Sequence, residues 1–206
     1  MAELQQSRWI YIKPMQNQNK IILDLCGGTG SWSAPYKENG FNVINITLPE
    51  YDVRVFTPPN NVYGIFAAPP CTMFSLARTT AKTPRDLEKG LFLVKHCIRI
   101  IWDTRPKFWV MENPKGLLRK FMGKPAFSFD ASEFGEDYNK ATDLWGYFNE
   151  PKKKQEYIRF PSTDKNTRKL PSLPENYVLP KGESRISARR AITPRGFAEA
   201  FFKANG

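Results

Sequence analysis

Apolar and polar positions along the chain form two patterns, one typical of buried strands and one typical of amphipathic helices. Short apolar runs bounded by glycine, proline or polar residues predict strands within residues 20–28, 41–48, 61–70, 107–116 and 142–148. Helical patterns lie between them and after them, at residues 31–40, in the stretch after Thr83, and at residues 193–205. The alternation of strands and helices predicts an α/β fold with a largely parallel sheet.

The helix after Thr83 has the clearest pattern. Thr83 is expected to cap it, with Pro84 at the first position and Asp86 at capping-box spacing. One apolar stripe follows at three- and four-residue steps, formed by Leu87, Leu91, Val94, Ile98 and Ile101. His96 and Cys97 fall in the same helix, and packing explains them better than metal ligation, because partner ligands are missing from the sequence.

Composition narrows the class of protein. The 206 residues, 41% of them hydrophobic, suit one domain with a small appendage. Three cysteines and one histidine exclude a disulfide framework and argue against structural zinc. The first residues lack the pattern of a signal peptide, and the apolar runs are too short to span a membrane. We expect a soluble protein of a reducing compartment, without a metal.

The net charge of +11 is large for a chain of this length. It favours a nucleic acid as partner, with an anionic membrane surface second and a merely solubilising excess of charge as the third reading. Residues 149–190 carry eleven Lys and Arg against five Asp and Glu, a net charge of +6. More than half of the excess therefore lies in about a fifth of the chain.

Three predicted strands end in residues that carry chemistry: "DLCGGTG", "APPC" and "MENP". Ligands of parallel sheets bind at this end of the strands. Glycines 27, 28 and 30 allow close approach to a nucleotide-like cofactor, although a purely structural turn would use them too. The spacing matches neither the P-loop nor the dinucleotide fingerprint.

The other two strand ends offer a thiol and a carboxyl group. Cys71 follows two prolines and is a candidate nucleophile, with Arg78 and Lys82 nearby in sequence to favour its thiolate. The alternative is a small buried apolar side chain. Glu112 is a candidate proton donor at the end of an apolar strand, or else a structural hydrogen-bonding residue.

Taken together, the order of these features resembles the cytosine-5 DNA methyltransferase family, in particular its compact, phage-type members. The motifs that carry the resemblance are "LDLCGGTG", "PPC" at 69–71, "EN" at 112–113, "YNKATDLW" at 138–145 and "RAITPRGFAEAFF" at 190–202. The resemblance implies a Rossmann-like S-adenosylmethionine-dependent methyltransferase fold with helices on both faces. It also implies a catalytic domain at 1–148, a small basic target-recognition segment at 149–190, and a returning helix at 191–206.

The resemblance further implies a mechanism. Cys71 would add to C6 of a flipped cytosine while Glu112, paired with Asn113, protonates N3, so that C5 can accept the methyl group of S-adenosylmethionine. Flipping takes the base out of the stack at a cost of about a few kcal/mol. Lys140 and Thr142 match the family segment that contacts the base.

Binding residues follow from the same resemblance. Thr47 stands where the family usually has an acid for the ribose hydroxyls, and Glu50 is a candidate substitute. The expected cofactor-binding residues are Asp24, Leu25, Cys26, Gly27, Gly28, Gly30, Thr47, Leu48, Asp52, Val53 and Pro69. Residues 72–85 look like a loop that closes over the base, and the expected nucleic-acid-binding residues are Arg78, Lys82, Arg85, Lys152, Lys153 and Lys154.

The resemblance implies double-stranded DNA as partner and the cytoplasm of a prokaryotic or phage-infected cell as location. An RNA cytosine-5 methyltransferase would keep the same parts. A catalytically silent nucleic-acid-binding module of the same fold is the third reading, and the missing ribose acid favours it. An amino-group methyltransferase is disfavoured, because Ala68 and Cys71 stand where it would need a polar residue and an aromatic one.

Overall fold

A six-stranded sheet forms the centre of the protein. The computed structural model describes residues 17–76, 78, 81–161, 170–179 and 184–206, so parts of the predicted loop at 72–85 and of the basic segment at 149–190 lie outside the described residues. The strands are β1 (Ile21–Leu25), β2 (Asn42–Ile46), β3 (Val62–Ala67), β4 (Phe108–Pro114), β5 (Phe127–Asp130) and β6 (Ala141–Tyr147).

The spatial order of the strands is β2-β1-β3-β4-β6-β5. The first four are parallel, whereas β6 runs antiparallel to β4 and β5 antiparallel to β6. Since β1, β3 and β4 are parallel neighbours, their carboxyl ends share one edge of the sheet. The start of β6 lies at that edge too, because Pro114 pairs with Thr142.

Helices cover both faces of the sheet. They are α1 (Ala34–Glu38), α2 (Leu87–Thr104), α3 (Arg119–Met122), α4 (Arg185–Ala191) and α5 (Arg195–Asn205), with a 3-10 helix at Ala131–Phe134. On one face, buried residues of α2 such as Val94 and Ile100 pack on Ile65 and Met111. This arrangement confirms the predicted Rossmann-like α/β fold, a mostly parallel sheet with a helical layer on each side.

Aromatic rings fill the other face. Trp32 lies 4.8 Å from Phe66 of β3, measured between ring centroids. Phe197 of α5 stacks on Phe129 at 4.0 Å, and Phe201 lies 5.5 Å from Phe66. The closing helix predicted from "TPRGFAEAFFKAN" therefore completes the core on this face.

Two details of the α2 prediction are wrong. The helix begins after Asp86, whose carboxylate accepts a hydrogen bond from the Lys89 amide at 2.9 Å, and not after Thr83. Ile98 is 40% exposed, because the buried face turns through Cys97 and Ile100 instead. The pattern identified the helix but assigned both the cap and one position of the stripe incorrectly.

His96 and Cys97 make packing contacts, as the sequence predicts. His96 lies edge-on to the Phe92 ring at 4.8 Å, and Cys97 is fully buried. Hydrogen bonding to Cys26 and burial raise the pKa of the Cys97 thiol. The part of the chain that the structure describes holds no cluster of His, Cys, Asp and Glu suited to a metal ion.

None of the helices in the described ranges has the length and apolar character needed to cross a bilayer.

Candidate active site

The three predicted strand ends lie side by side at one edge of the sheet. The pairing of β1 with β3 continues past the strands, where the Ala68 amide donates to the Leu25 carbonyl at 2.9 Å. At the end of β4, the buried Asn113 side chain donates from Nδ2 to the Pro69 carbonyl at 2.9 Å. The glycine turn, the Pro-Pro-Cys loop and the Glu-Asn pair are therefore brought together.

Cys71 begins a tight turn that is bonded on several sides. Its carbonyl accepts from the amides of Phe74 and Ser75 at 2.9 and 2.8 Å. Arg85 donates to the Met73 carbonyl at 2.9 Å and to the Ser75 carbonyl at 2.8 Å. Cys71 itself is partly exposed. The turn thus holds the thiol-bearing residue at the surface of the sheet edge.

The segment that follows β4 packs against the Cys71 turn. Ser75 forms a β-bridge with Gly116, and the Leu117 amide donates to the Phe74 carbonyl at 2.9 Å. A side chain on Gly116 would bring its Cβ within 2.5 Å of that same carbonyl oxygen. Only glycine allows the two segments to approach so closely.

Glu112 forms an ion pair with Lys140, Oε1 to Nζ, at 3.3 Å. The two side chains are 14% and 16% exposed, so the pair is largely shielded from water yet still reachable. Lys140 also donates to the Ile192 carbonyl at 3.5 Å. The pairing of β4 with β6 therefore places two of the predicted catalytic residues in contact.

The two remaining residues of the predicted catalytic group are buried. Thr142 is 1% exposed and donates its hydroxyl to the Lys140 carbonyl at 3.2 Å. Asn113 is fully buried, and its Oδ1 has no hydrogen-bond partner among the described residues. The Thr142 hydroxyl is thus bonded to the backbone of Lys140, and the Asn113 amide group is bonded to the backbone of Pro69.

The glycine turn after β1 has a left-handed backbone. Cys26, Gly28 and Gly30 have φ of 57°, 55° and 69°. At Gly27, a Cβ would lie 2.4 Å from the Asp24 carboxyl carbon and 2.7 Å from Asn45 Oδ1, whereas at Gly28 it would meet nothing within 4 Å. A side chain at position 27 would therefore collide with Asp24 and Asn45, whereas Gly28 borders open space.

A polar network from β2 fixes this turn. The Gly28 amide donates to Thr47 Oγ1 at 2.9 Å, and Asn45 Nδ2 donates to the Gly28 carbonyl at 3.0 Å. Thr47 in turn donates to Asn45 Oδ1 at 2.9 Å. Thr47, expected at the ribose position, is thus bonded to the turn, and Asn45 is a site residue that the sequence did not reveal.

Asp24 lies buried beneath the glycine turn. It is 1% exposed, and Ser33 donates its hydroxyl to Asp24 Oδ2 at 2.6 Å. Burial raises the pKa of Asp24 from 3.8 to about 6, against a smaller lowering by Ser33. Its Oδ1 has no hydrogen-bond partner among the described residues. The buried Asp24 carboxyl group therefore packs directly beneath the glycine turn.

The residues expected around the adenine and ribose differ in exposure. Leu48 is 61% exposed and Val53 is buried. Asp52 pairs with Arg54, whose Nε donates to both carboxylate oxygens at 2.8 Å. This hydrogen bonding to Arg54 lowers the pKa of Asp52 to about 2. Glu50 is exposed on the preceding turn.

The predicted nucleic-acid-binding side chains also differ in their contacts. Arg78 donates to Thr83 Oγ1 at 2.9 Å, and Lys82 is exposed. Lys153 is paired with Glu133 at 2.8 Å. Lys152 and Lys154 are exposed on the same short stretch.

Two contacts at the edge were not predicted. The Thr193 amide donates to Ser31 Oγ at 2.9 Å, which joins the closing motif to the glycine turn. Arg119 donates to both carboxylate oxygens of Asp143 at 2.5 Å, and Asp143 is fully buried. These bonds depend on long-range pairing, so no local pattern in the sequence could reveal them.

Two surface clefts of about 300 and 310 Å³ lie away from these strand ends. One is lined by residues 57–61 and the end of α2, and the other by the end of α5 and residues 147–149. Both lie toward the opposite edge of the sheet, where the parallel strands begin. They therefore do not belong to the site described above.

Comparison with known proteins identifies the family. The model of the C-5 cytosine-specific DNA methylase family matches residues 31–145. That stretch includes Cys71, Glu112, Asn113, Lys140 and Thr142, and it begins just after the glycine turn.

Two relatives carry related names. A probable DNA (cytosine-5)-methyltransferase of Frog virus 3 (isolate Goorha) is 29% identical over 60% of this chain and 69% of that protein. The type II methyltransferase M.DdeI of Desulfomicrobium norvegicum is 29% identical over 47% of this chain and 28% of that protein. The match thus spans about two thirds of the viral relative and little more than a quarter of the bacterial one.

Among solved structures, a DNA modification methyltransferase encoded within an E. coli prophage matches with a TM-score of 0.43 and 17% identity. The match covers 62% of this chain and 46% of that one. The family model, by contrast, matches more than half of the chain. The chain therefore belongs to the family of C-5 cytosine-specific DNA methylases, the DNA (cytosine-5)-methyltransferases that its motifs predicted.

Proposed function

We propose that the protein methylates C5 of a flipped cytosine in double-stranded DNA, with Cys71 as nucleophile and S-adenosylmethionine as methyl donor. The observation that carries the proposal is the bond from Asn113 to the Pro69 carbonyl. It fastens the loop that bears Cys71 to the strand end that bears Glu112, while the glycine turn adjoins that loop on its other side, where the Ala68 amide bonds to Leu25. This adjacency of a thiol-bearing loop, a carboxyl-bearing strand end and a cofactor-type turn supports the proposal.

The chemistry of the base would begin at Cys71. Its thiolate sulfur forms a bond to C6 of cytosine, and the electrons of the C5–C6 double bond shift toward C5 and the N3 side of the ring. Glu112 would hold a proton at N3. The Lys140 ammonium, 3.3 Å from Glu112, adds a positive charge next to the place where negative charge develops.

The second half of the reaction restores the ring. When bound, S-adenosylmethionine supplies an electrophilic methyl group to C5. The proton on C5 then leaves to a base, the C5–C6 double bond re-forms, and the bond from C6 to the Cys71 sulfur breaks. Cys71 is thereby returned as a thiolate, so no oxidant or reductant is needed.

The residues of the glycine turn fit a cofactor of this class. The open space at Gly28 leaves backbone free to approach a ligand, and the left-handed backbone of Gly28 and Gly30 keeps side chains out of that space. Leu25, Cys26 and Gly27 would line the turn, with Asp24 below it. Leu48, Asp52, Val53 and Pro69 would border the adenosine half from neighbouring loops.

One observation favours a second candidate, a silent nucleic-acid-binding module of the same fold. Thr47 replaces the usual ribose acid, and its hydroxyl is already bonded to Gly28 and Asn45. A chain that binds DNA but no longer binds the methyl donor would show such a change. The partly exposed Cys71 and the intact Glu112 favour the enzyme.

A trapping experiment separates the candidates. The protein is incubated with S-adenosylmethionine and duplex DNA in which 5-fluorocytosine replaces cytosine, because fluorine at C5 cannot leave as a proton does. The expected result is a protein–DNA adduct that survives denaturing electrophoresis. Cys71→Ser should abolish the adduct, whereas Cys97→Ala should retain it, since Cys97 is buried in α2.

Each other outcome has a defined meaning. DNA binding without any adduct would favour the silent module and contradict the proposal. An adduct formed with 5-fluorocytosine in structured RNA but not in duplex DNA would identify the substrate as RNA. An adduct that persists in Cys71→Ser would remove Cys71 from the mechanism.

A further inference from the structure

A second basic stretch lies between β4 and β5. Residues 115–129 contain Lys115, Arg119, Lys120 and Lys124 and no acidic residue. Arg119 is neutralised by Asp143. Lys115, Lys120 and Lys124 are all exposed, and we name these three side chains the β4–β5 lysine cluster.

The backbone under this cluster is fastened to the Cys71 turn. Gly116 pairs with Ser75, the Leu117 amide donates to the Phe74 carbonyl at 2.9 Å, and the Phe74 and Phe121 rings lie 6.3 Å apart. The stretch that carries the lysines is therefore the direct neighbour of the turn that carries the nucleophile.

Both ends of the stretch are also fixed to β6. The Lys115 amide donates to the Ala141 carbonyl at 3.0 Å, next to Lys140. Trp145 Nε1 donates to the Gly123 carbonyl at 3.0 Å. The lysines thus belong to a stretch of backbone that is held in place against both the Cys71 turn and β6.

The charges of the cluster are not used within the described part of the protein. Lys115, Lys120 and Lys124 form no ion pair with a described acid, whereas Lys140 pairs with Glu112 and Lys153 with Glu133. Three uncompensated positive charges on a stretch that packs against the Cys71 turn suit a polyanion bound at that turn.

We infer that the β4–β5 lysine cluster binds backbone phosphates of the duplex beside the target cytosine; this inference rests on the proposed function. Phosphate contacts position a protein on DNA without reading sequence. The cluster would hold the strand on the side of the Cys71 turn. Residues 152–154, near the start of the basic segment, would add contacts beside the 3-10 helix, where Lys153 pairs with Glu133.

The test measures the salt dependence of DNA binding in the full chain without cofactor. A fluorescent 30-base-pair duplex is titrated at several salt concentrations. The triple variant Lys115→Gln/Lys120→Gln/Lys124→Gln should lower the slope of log K against log salt by about 0.9 for each lost phosphate contact. We expect an affinity at least about tenfold weaker near 0.1 M salt.

Two matched variants serve as controls. Lys37→Gln/Lys95→Gln/Lys203→Gln removes the same charge from exposed lysines elsewhere on the surface, and it should leave the slope nearly unchanged. The triple Lys→Arg variant of the cluster should restore binding, because it restores the charge. Thermal unfolding of each variant verifies that the fold is retained.

The outcomes distinguish this inference from the proposed function. If wild type binds duplex DNA and forms the trapped adduct, but the cluster variant behaves as the Lys37/Lys95/Lys203 control does, the inference is wrong and the proposed function stands. If wild type binds no duplex DNA at all, both are wrong. A loss of slope shared equally by the cluster and control variants would also overturn the inference, because it would show a general charge effect.

Discussion

The Asn113 side chain donates a hydrogen bond from the end of β4 to the Pro69 carbonyl at the end of β3, at 2.9 Å. Because Asn113 is fully buried, this bond is shielded from competing water. It joins two loops that the chain separates by more than forty residues.

Asn113→Leu keeps the branched shape and the number of heavy atoms of the side chain and removes this bond. The Pro69 carbonyl loses a buried donor, so we expect the free energy of unfolding to fall by about 1–3 kcal/mol. The rate of adduct formation with 5-fluorocytosine DNA should fall at least tenfold, because Cys71 is then less well positioned. Asn60→Leu is the control, since Asn60 is exposed far from this edge. Equal adduct rates in wild type and Asn113→Leu would contradict the positioning role.

Asp24 gives a prediction about pH. Its pKa of about 6, raised by burial from 3.8, means that the folded chain retains a proton which the unfolded chain releases. Stability from this group is therefore complete below about pH 4 and is lost as the pH rises through 6. The loss is on the order of 3 kcal/mol.

Asp24→Asn removes this titration. We expect its melting temperature to gain on that of wild type as the pH is raised from 4 to 7, in scanning calorimetry at both values. Asp52→Asn should show no such gain between pH 4 and pH 7, because hydrogen bonding to Arg54 lowers the pKa of Asp52 to about 2, below the range of the test. A difference between Asp24→Asn and wild type that is the same at pH 4 and pH 7 would argue against a buried titrating carboxyl group.

Thr47 offers a test of the turn at the proposed cofactor site. Thr47→Val removes the acceptor for the Gly28 amide and the donor to Asn45, whereas Thr47→Ser keeps the hydroxyl. Loss of about 1 kcal/mol of hydrogen bonding should weaken S-adenosylmethionine binding about fivefold in Thr47→Val. Calorimetric titration of both variants measures this effect. If Thr47→Ser binds as weakly as Thr47→Val, the hydroxyl is not the cause.

Arg119 and Asp143 form the pair that braces β6. Arg119→Met leaves a fully buried carboxylate with Ser128 as its remaining donor, at 2.7 Å. Since Arg119 is itself 38% exposed, we expect a loss of about 1–3 kcal/mol, below the range for fully buried pairs. Adding Asp143→Asn should recover part of it in denaturant unfolding. A double variant less stable than Arg119→Met would contradict this account.

The sequence predicted the sheet well because buried parallel strands are short apolar runs, and β1, β3 and β4 have that form. It missed β5, whose four residues form a strand only through pairing with β6. The Asp86 cap was missed because Thr83 and Pro84 form an equally good local capping signal. In the structure, Arg85 bonds to carbonyls of the Cys71 turn, and the helix begins only after Asp86.

For the site, the sequence indicated which residue types matter but not their mutual contacts. The pair formed by Glu112 and Lys140 depends on β6 starting at the edge where β4 ends, with Pro114 opposite Thr142, which no local pattern encodes. The bonds of Thr47 and Asn45 to Gly28 likewise depend on the pairing of β1 with β2. Long-range register, rather than composition, decides these contacts.

Helix α5 has a consequence for biosynthesis. Phe197 and Phe201 fill the aromatic face against Phe66 and Phe129, so strands made early by the ribosome remain uncovered until residues 195–205 emerge. A nascent chain stalled before that point would expose the apolar face of the sheet to chaperones and proteases. We therefore expect products truncated ahead of α5 to be degraded in preference to the full chain.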